Sequence, residues 1–168
     1  MPQKLESLLS EEQIHGKIKR IAYQILENNY LEDHLYLAGI KGGGYLLAEK
    51  IQHEYNLISD KPAKLLKVSI DKENPLSSPV ELDKSVETPE NSVVIIIDDV
   101  LNSGRTVIYA LKPFLGMPLK KIESAFLVNR SHRLFPVSAK YTGMELSTTL
   151  QEHIRVSWDS DDFGVYLI

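Results

Sequence analysis

Val93-Val-Ile-Ile-Ile-Asp-Asp-Val-Leu-Asn-Ser-Gly-Arg-Thr106 is the stretch whose reading decides the fold. Five β-branched residues in a row, Val93 to Ile97, are typical of a strand buried on both faces. The run drives straight into two carboxylates, Asp98 and Asp99, and then turns through Asn102, Ser103 and Gly104 into a helix expected over Thr106 to Leu115. Such a turn makes an anion cradle. Backbone amides at the helix start face an incoming phosphate, Gly104 allows close approach, and the Ser103 and Thr106 hydroxyls complete the shell. The acids beside it repel phosphate, so the two charges are reconciled by a sugar phosphate whose hydroxyls meet the acids while its phosphate meets the loop. The plainer reading is a strand whose terminal acids only cap the next helix.

Outward from this stretch the chain alternates strands and helices. Ile14, Ile18, Ile21, Ala22 and Ile25 recur at helical spacing over Glu11 to Asn28, with Ser10 as N-cap and Gln13 completing a capping box. His34 to Ile40 reads as a short buried strand and Tyr45 to Tyr55 as a helix, with Lys41-Gly42-Gly43-Gly44 as the loop between them. Ala63 to Ile70 reads as a strand, and Ile122 to Asn129 as another. Between Asp71 and Asn91 three prolines and many charges predict a long irregular loop. Beyond Arg130 the pattern is short and polar, with strands at Ile154 to Trp158 and Gly164 to Ile168. Strand-helix-strand units in succession imply an α/β fold, a mostly parallel sheet with helices on both faces. Ligands in such sheets bind beyond the carboxyl ends of the strands. The loops at 41–44 and 101–104 both sit at that end and should share one pocket.

The composition bounds the function classes. With 168 residues, 43% apolar and 25% charged, the chain is expected to form one domain over 1–168. It has no cysteine, which excludes disulfides and thiolate metal sites. No stretch has the apolar length of a signal peptide or a membrane span, so a cytoplasmic protein without membrane contact is expected. A net charge of −4 argues against a protein that coats nucleic acid non-specifically.

An apolar strand, two acids, then Val-x-x-Ser-Gly-x-Thr resembles the 5-phosphoribosyl-diphosphate (PRPP) signature of type I phosphoribosyltransferases. In that family a ring nitrogen of a nucleobase displaces pyrophosphate at the anomeric carbon. The resemblance implies that Asp98 and Asp99 hold the ribose hydroxyls and offset developing positive charge, and that Leu101, Asn102, Ser103, Gly104, Arg105 and Thr106 bind the 5-phosphate. Lys41, Gly42, Gly43 and Gly44 would bind pyrophosphate through backbone amides. Mg2+ would be held through PRPP oxygens, with few direct protein ligands. The 71–91 segment would be a hood that excludes water, with Ser69 and Lys72 as its candidate contacts.

Most of the chain is similar to one subfamily, the pyrimidine-operon attenuation regulators that double as uracil phosphoribosyltransferases. The similarity lies in Leu9-Ser10-Glu11-Glu12-Gln13-Ile14, Arg20-Ile21-Ala22, Leu37-Ala38-Gly39-Ile40-Lys41, the DDVLNSGRT stretch and Leu127 to Gly143. It implies transfer to uracil in nucleotide salvage, a base site at Val128, Asn129, Arg130 and His132, RNA-hairpin contacts from Lys19 and Arg20, and a homodimer or larger homo-oligomer. Gly42 and Gly43 stand where the subfamily has threonine and arginine, and Asn129 stands where it has aspartate. Two alternatives therefore stay open, an RNA-binding nucleotide sensor with weak or lost catalysis and a purine phosphoribosyltransferase. Outside these motifs, Trp158 is expected to anchor the core or an interface, and His15, His34, His53 and His153 to be surface or structural residues.

Overall fold

The structure is a computed structural model that describes residues 5–147, 149 and 151–168. Its centre is the strand anticipated from the apolar run, β5 (Ser92–Leu101). Val93, Ile95 and Ile97 point into one core and Val94 and Ile96 into another, so both faces of the strand are dry. Around it lie β2 (Leu35–Ile40), β3 (Lys64–Ser69), β4 (Glu81–Leu82), β6 (Leu119–Arg130) and β7 (Tyr141–Leu146). The sheet order is β4-β3-β2-β5-β6-β7, parallel except for β4. A smaller antiparallel sheet, in the order β1-β9-β8, joins β1 (Glu6–Ser10) to β8 (Ile154–Ser157) and β9 (Gly164–Leu167).

Helices cover both faces of the large sheet. The helices α1 (Glu11–Asn29) and α2 (Gly43–Ile58) pack through Ile14, Ile18, Ile21, Leu47 and Ile51 on the face that carries Leu35, Leu37 and Ile95. The opposite face, with Tyr36, Ala38 and Ile96, is covered by α3 (Arg105–Ala110) and Phe114. The capping box forms as anticipated: the Gln13 amide donates to Ser10 Oγ at 3.3 Å, and the Ser10 amide donates to Gln13 Oε1 at 2.9 Å. Gly39 lets α2 settle on β2, because a Cβ there would lie 2.6 Å from the Tyr45 Cα and 2.8 Å from the Ala48 Cβ.

Several elements differ from their sequence expectations, each for a physical reason. The helix α2 starts at Gly43, not Tyr45, so two of the three loop glycines form its first turn. The helix α3 stops at Ala110 rather than Leu115, and a 3-10 turn over Lys112–Phe114 follows, because Pro113 has no amide with which to continue the ladder. Ladder pairing with β6, as in Val100 with Val128, carries β5 past both acids to Leu101. β1 and β7 were not anticipated at all. β7 carries Gly143 in mid-strand, where a Cβ would lie 2.5 Å from the Leu127 carbonyl oxygen, so close packing against β6 occupies the place of a bulky apolar signal. The 71–91 segment is largely irregular, as expected, apart from β4 pairing with β3.

From β2 the chain steps to β3 on one side, and then returns to place β5, β6 and β7 on the other. The order therefore reverses between β2 and β5, and the crevice beyond their carboxyl ends is the place where ligands bind in such sheets. The loops leaving these two strands are Lys41-Gly42 and Asn102-Ser103-Gly104.

Candidate active site

The crevice is built around the acid end of β5. Asp98 is only 3% exposed. Burial, followed by the charge of Asp99, pushes its carboxyl up to about 7, against the opposing pull of Lys72 and a hydrogen bond from the Asp99 amide. Lys72, from the loop after β3, places Nζ 3.1 Å from Asp98 Oδ1 and 3.2 Å from Oδ2. Of the two hood candidates read from sequence, Lys72 thus meets an acid directly. Ser69 lies at the end of β3 beside Lys41, Asp71 and Pro79, along a shallow groove. Asp99 is more open, and its Oδ1 accepts from the Val100 amide at 2.8 Å.

Next to the acids, Leu101 to Thr106 forms a small concavity with Asp98, Val100 and Val107. Gly104 takes the left-handed conformation (φ 86°) needed to swing from strand to helix. Ser103 Oγ accepts from the Arg105 amide at 3.2 Å, and its carbonyl accepts from the Leu134 and Phe135 amides at 2.9 and 3.0 Å. The loop is therefore held in shape from behind. Beyond the Arg105 amide, which Ser103 Oγ accepts, Thr106 and Val107 at the start of α3 also line the concavity, and the first N–H groups of a helix lack intrahelical acceptors, an arrangement that suits an anion.

On the other side of the crevice stand Lys41 and Gly42, the latter with φ 99°. Gly43 and Gly44 lie directly against the acids. A Cβ on Gly43 would run into the Asp99 carboxylate, and one on Gly44 would lie 2.8 Å from Asp98 Oδ1 and 2.6 Å from the Ile97 carbonyl oxygen. The Trp158 indole reaches the same spot, with Nε1 3.1 Å from the Gly43 Cβ position. Trp158 packs on the core as expected, but its nearness to the acids was not legible. Only the pairing of β8 with β9, and of β9 with β1, brings the end of the chain there.

The proposed base residues divide. His132 lines an open pocket with Asn102, Ser103, Arg133, Leu134 and His153. Arg130 also borders it, but it is 6% exposed, and its guanidinium donates to Asn102 Oδ1 at 3.0 Å and to the Glu152 carbonyl at 2.6 Å. It ties the C-terminal segment to the Leu101–Thr106 loop. Asn129 Oδ1 is held by Arg133, whose guanidinium also meets the carbonyls of Asn102 and Val137. Val128 does not reach the pocket. It is fully buried in the core, because the β6 ladder continues beyond it to Arg130, so the apolar face expected from Val128 is not presented there. The exposed apolar side chain at this pocket is Leu134, at 85%. Leu134 was not among the sequence candidates, although it lies inside the Leu127 to Gly143 segment already singled out, and His153, expected to be a surface or structural residue, also lines this pocket.

The RNA candidates lie on α1. Lys19 and Arg20 are exposed, and the Arg20 guanidinium caps β7, donating to the Gly143 carbonyl at 2.8 Å and the Thr142 carbonyl at 3.1 Å. Among the described residues no cluster of three or more His, Cys, Asp or Glu could hold a metal ion, and no helix is long and apolar enough to cross a membrane.

Comparison with known proteins agrees with this geometry. Residues 4–161 match the phosphoribosyl transferase domain family. The chain is 34% identical to the "Bifunctional protein PyrR" of Fusobacterium nucleatum over 163 residues, covering 93% of this chain and 92% of that protein. It is 32% identical to the protein of the same name from Haemophilus ducreyi, covering 92% and 90%. Among solved structures it is similar to the hypoxanthine phosphoribosyltransferase of Trypanosoma cruzi, with a TM-score of 0.74 over 96% of this chain and 95% of that one at 16% identity, a likeness of fold. With the acid pair, the two backbone loops and these relatives in agreement, the chain belongs to the phosphoribosyl transferase domain family and, within it, to the PyrR group.

Proposed function

We propose that the protein transfers the phosphoribosyl group of PRPP to uracil, giving UMP and pyrophosphate. The observation that carries this reading is the acid pair at the end of β5, bordered on one side by the Leu101 to Thr106 loop and on the other by Lys41 to Gly44. A sugar carrying a phosphate at one end and a pyrophosphate at the other matches that order of groups. In this arrangement the 5-phosphate sits on the first amides of α3 with Ser103 and Thr106, the ribose hydroxyls meet Asp98 and Asp99, and the pyrophosphate lies along Lys41 to Gly44. The base takes the pocket at His132, and Arg130 and Arg133 hold the walls of that pocket rather than the base.

The residues act chiefly by charge and position. The reacting sugar carbon gains positive character as pyrophosphate leaves, and carboxylates fixed beside the ribose stabilise that charge in a place where water is scarce. Asp98 must be ionised to take part, and Lys72 favours that form against burial. The donor set suits a magnesium ion, because the Asp98 and Asp99 carboxylates offer hard oxygen ligands side by side. Asp98 and Asp99 would hold such an ion near them through bound PRPP, and it would supply charge neutralisation for the departing pyrophosphate. Lys72 also connects chemistry to the loop that carries it, because the same contact ties the 71–91 segment down over the acids.

A second reading, RNA-hairpin binding, is favoured by the word bifunctional in the names of the relatives and by the exposed Lys19 and Arg20 on α1. Since Arg20 also caps β7, its loss disturbs more than charge.

Asp99→Asn should lower PRPP-dependent pyrophosphate release with uracil by about a hundredfold or more while the thermal midpoint stays within a few degrees; unchanged turnover contradicts the site assignment. A carboxyl raised from 3.8 to about 7 is better tolerated protonated in the folded state, so its contribution to stability declines as pH rises through that window. Asp98→Asn should therefore raise the thermal midpoint more at pH 8 than at pH 5, and an equal effect at both values contradicts the burial argument. For the RNA reading, Lys19→Ala should weaken binding to one hairpin more than to unrelated RNA in a filter assay at fixed salt; equal losses on every RNA leave only a solvated basic face.

A further inference from the structure

Trp158 is the only tryptophan in the chain and follows β8 directly. It packs edge-on to Phe163, with ring centroids 5.4 Å apart at 88°, and leans on the core shared with α1 and α2. Packing accounts for its rings and not for its N–H. Nε1 is buried and has no acceptor among the described residues. A buried donor without a partner costs free energy, so an unsatisfied one in a folded protein calls for an explanation.

The explanation lies over Gly43. A Cβ at that residue would touch Asp99 Oδ2 and lie 3.1 Å from Trp158 Nε1, so both atoms border one space that is open only because residue 43 has no side chain. Asp99 Oδ1 is occupied by the Val100 amide at 2.8 Å. For Oδ2, the oxygen facing that space, no hydrogen-bond donor is present among the described residues. A donor and a carboxylate oxygen, each without a partner among the described residues, thus border the same space.

We propose that Trp158 is a positioning residue for Asp99, with its indole N–H donating to Oδ2 and fixing the carboxylate in the orientation that receives the ribose. The idea rests on the assignment of Asp99 to the ribose hydroxyls. It accounts for two features together: a tryptophan brought by the small sheet to the edge of the crevice, and a glycine at 43, where any side chain would fill the gap. A hydrogen bond to an ionised acceptor is among the stronger ones, and it removes the freedom of the carboxylate to turn away from the sugar.

The test uses the full chain and its single indole resonance in a 15N-correlated NMR spectrum. The indole proton of the wild type, with PRPP and magnesium or without, should resonate downfield of a free indole and move back toward the free position in Asp99→Ala. Trp158→Phe, which keeps an aromatic ring against Phe163, should lose about tenfold in turnover with the KM for the base within twofold. A wild-type indole proton at the free position in both states overturns the proposal, as does full turnover in Trp158→Phe. If the phenylalanine variant does not fold, the resonance alone decides. Failure here is distinct from failure of the function, because Asp99→Asn reports on the acid whatever the indole does.

Discussion

Everything at the crevice depends on how closely the start of α2 lies against the acid end of β5. A Cβ on Gly44 would stand 2.6 Å from the Ile97 carbonyl oxygen and 2.9 Å from the Asp98 Cα, so the helix can sit there only as bare backbone. That approach brings a second set of main-chain groups to the acids and makes one site from two loops 60 residues apart, counted from Lys41 to Leu101. It also buries Asp98, and burial is the first cause of its raised protonation point. Lys72 is the counterweight. The stability given up in keeping an acid under cover is the usual companion of a site prepared for charge that appears only during reaction.

What the sequence made legible is what short-range physics controls. The β-branched run of β5, the helical spacing of isoleucines in α1 and the Ser10–Gln13 capping box are local signals, and each appears in the structure. The meeting of the two glycine-bearing loops was also legible, since a strand-helix-strand order places both at the same edge. Helix ends were less so: Pro113 cuts α3 short, and Gly43 joins α2 although glycine is a poor helix former, because packing against the acids outweighs propensity.

What stayed hidden depends on long-range contact. β7 has an edge position and a glycine packed on Leu127, so its own residues carry little strand pattern. The jobs of Arg20, Arg130 and Arg133 are invisible in sequence because each has a backbone carbonyl of a distant segment among its acceptors, Gly143, Glu152 and Asn102 respectively. Charges that a motif marks for ligand contact can be occupied in holding neighbouring segments together. Val128 is the reverse case, an apolar residue placed near the base by sequence neighbourhood and sent into the core by the register of β6. Leu134 supplies the exposed apolar surface at that pocket instead.

The two glycines at 42 and 43 and the asparagine at 129 make the choice of base the point on which the account is most directly exposed. The measurement is the nucleotide formed when PRPP and magnesium are incubated with the protein and with uracil, hypoxanthine or guanine offered separately, each product identified by mass. UMP from uracil, with no comparable product from either purine, is the predicted result. IMP or GMP formed without UMP would contradict it.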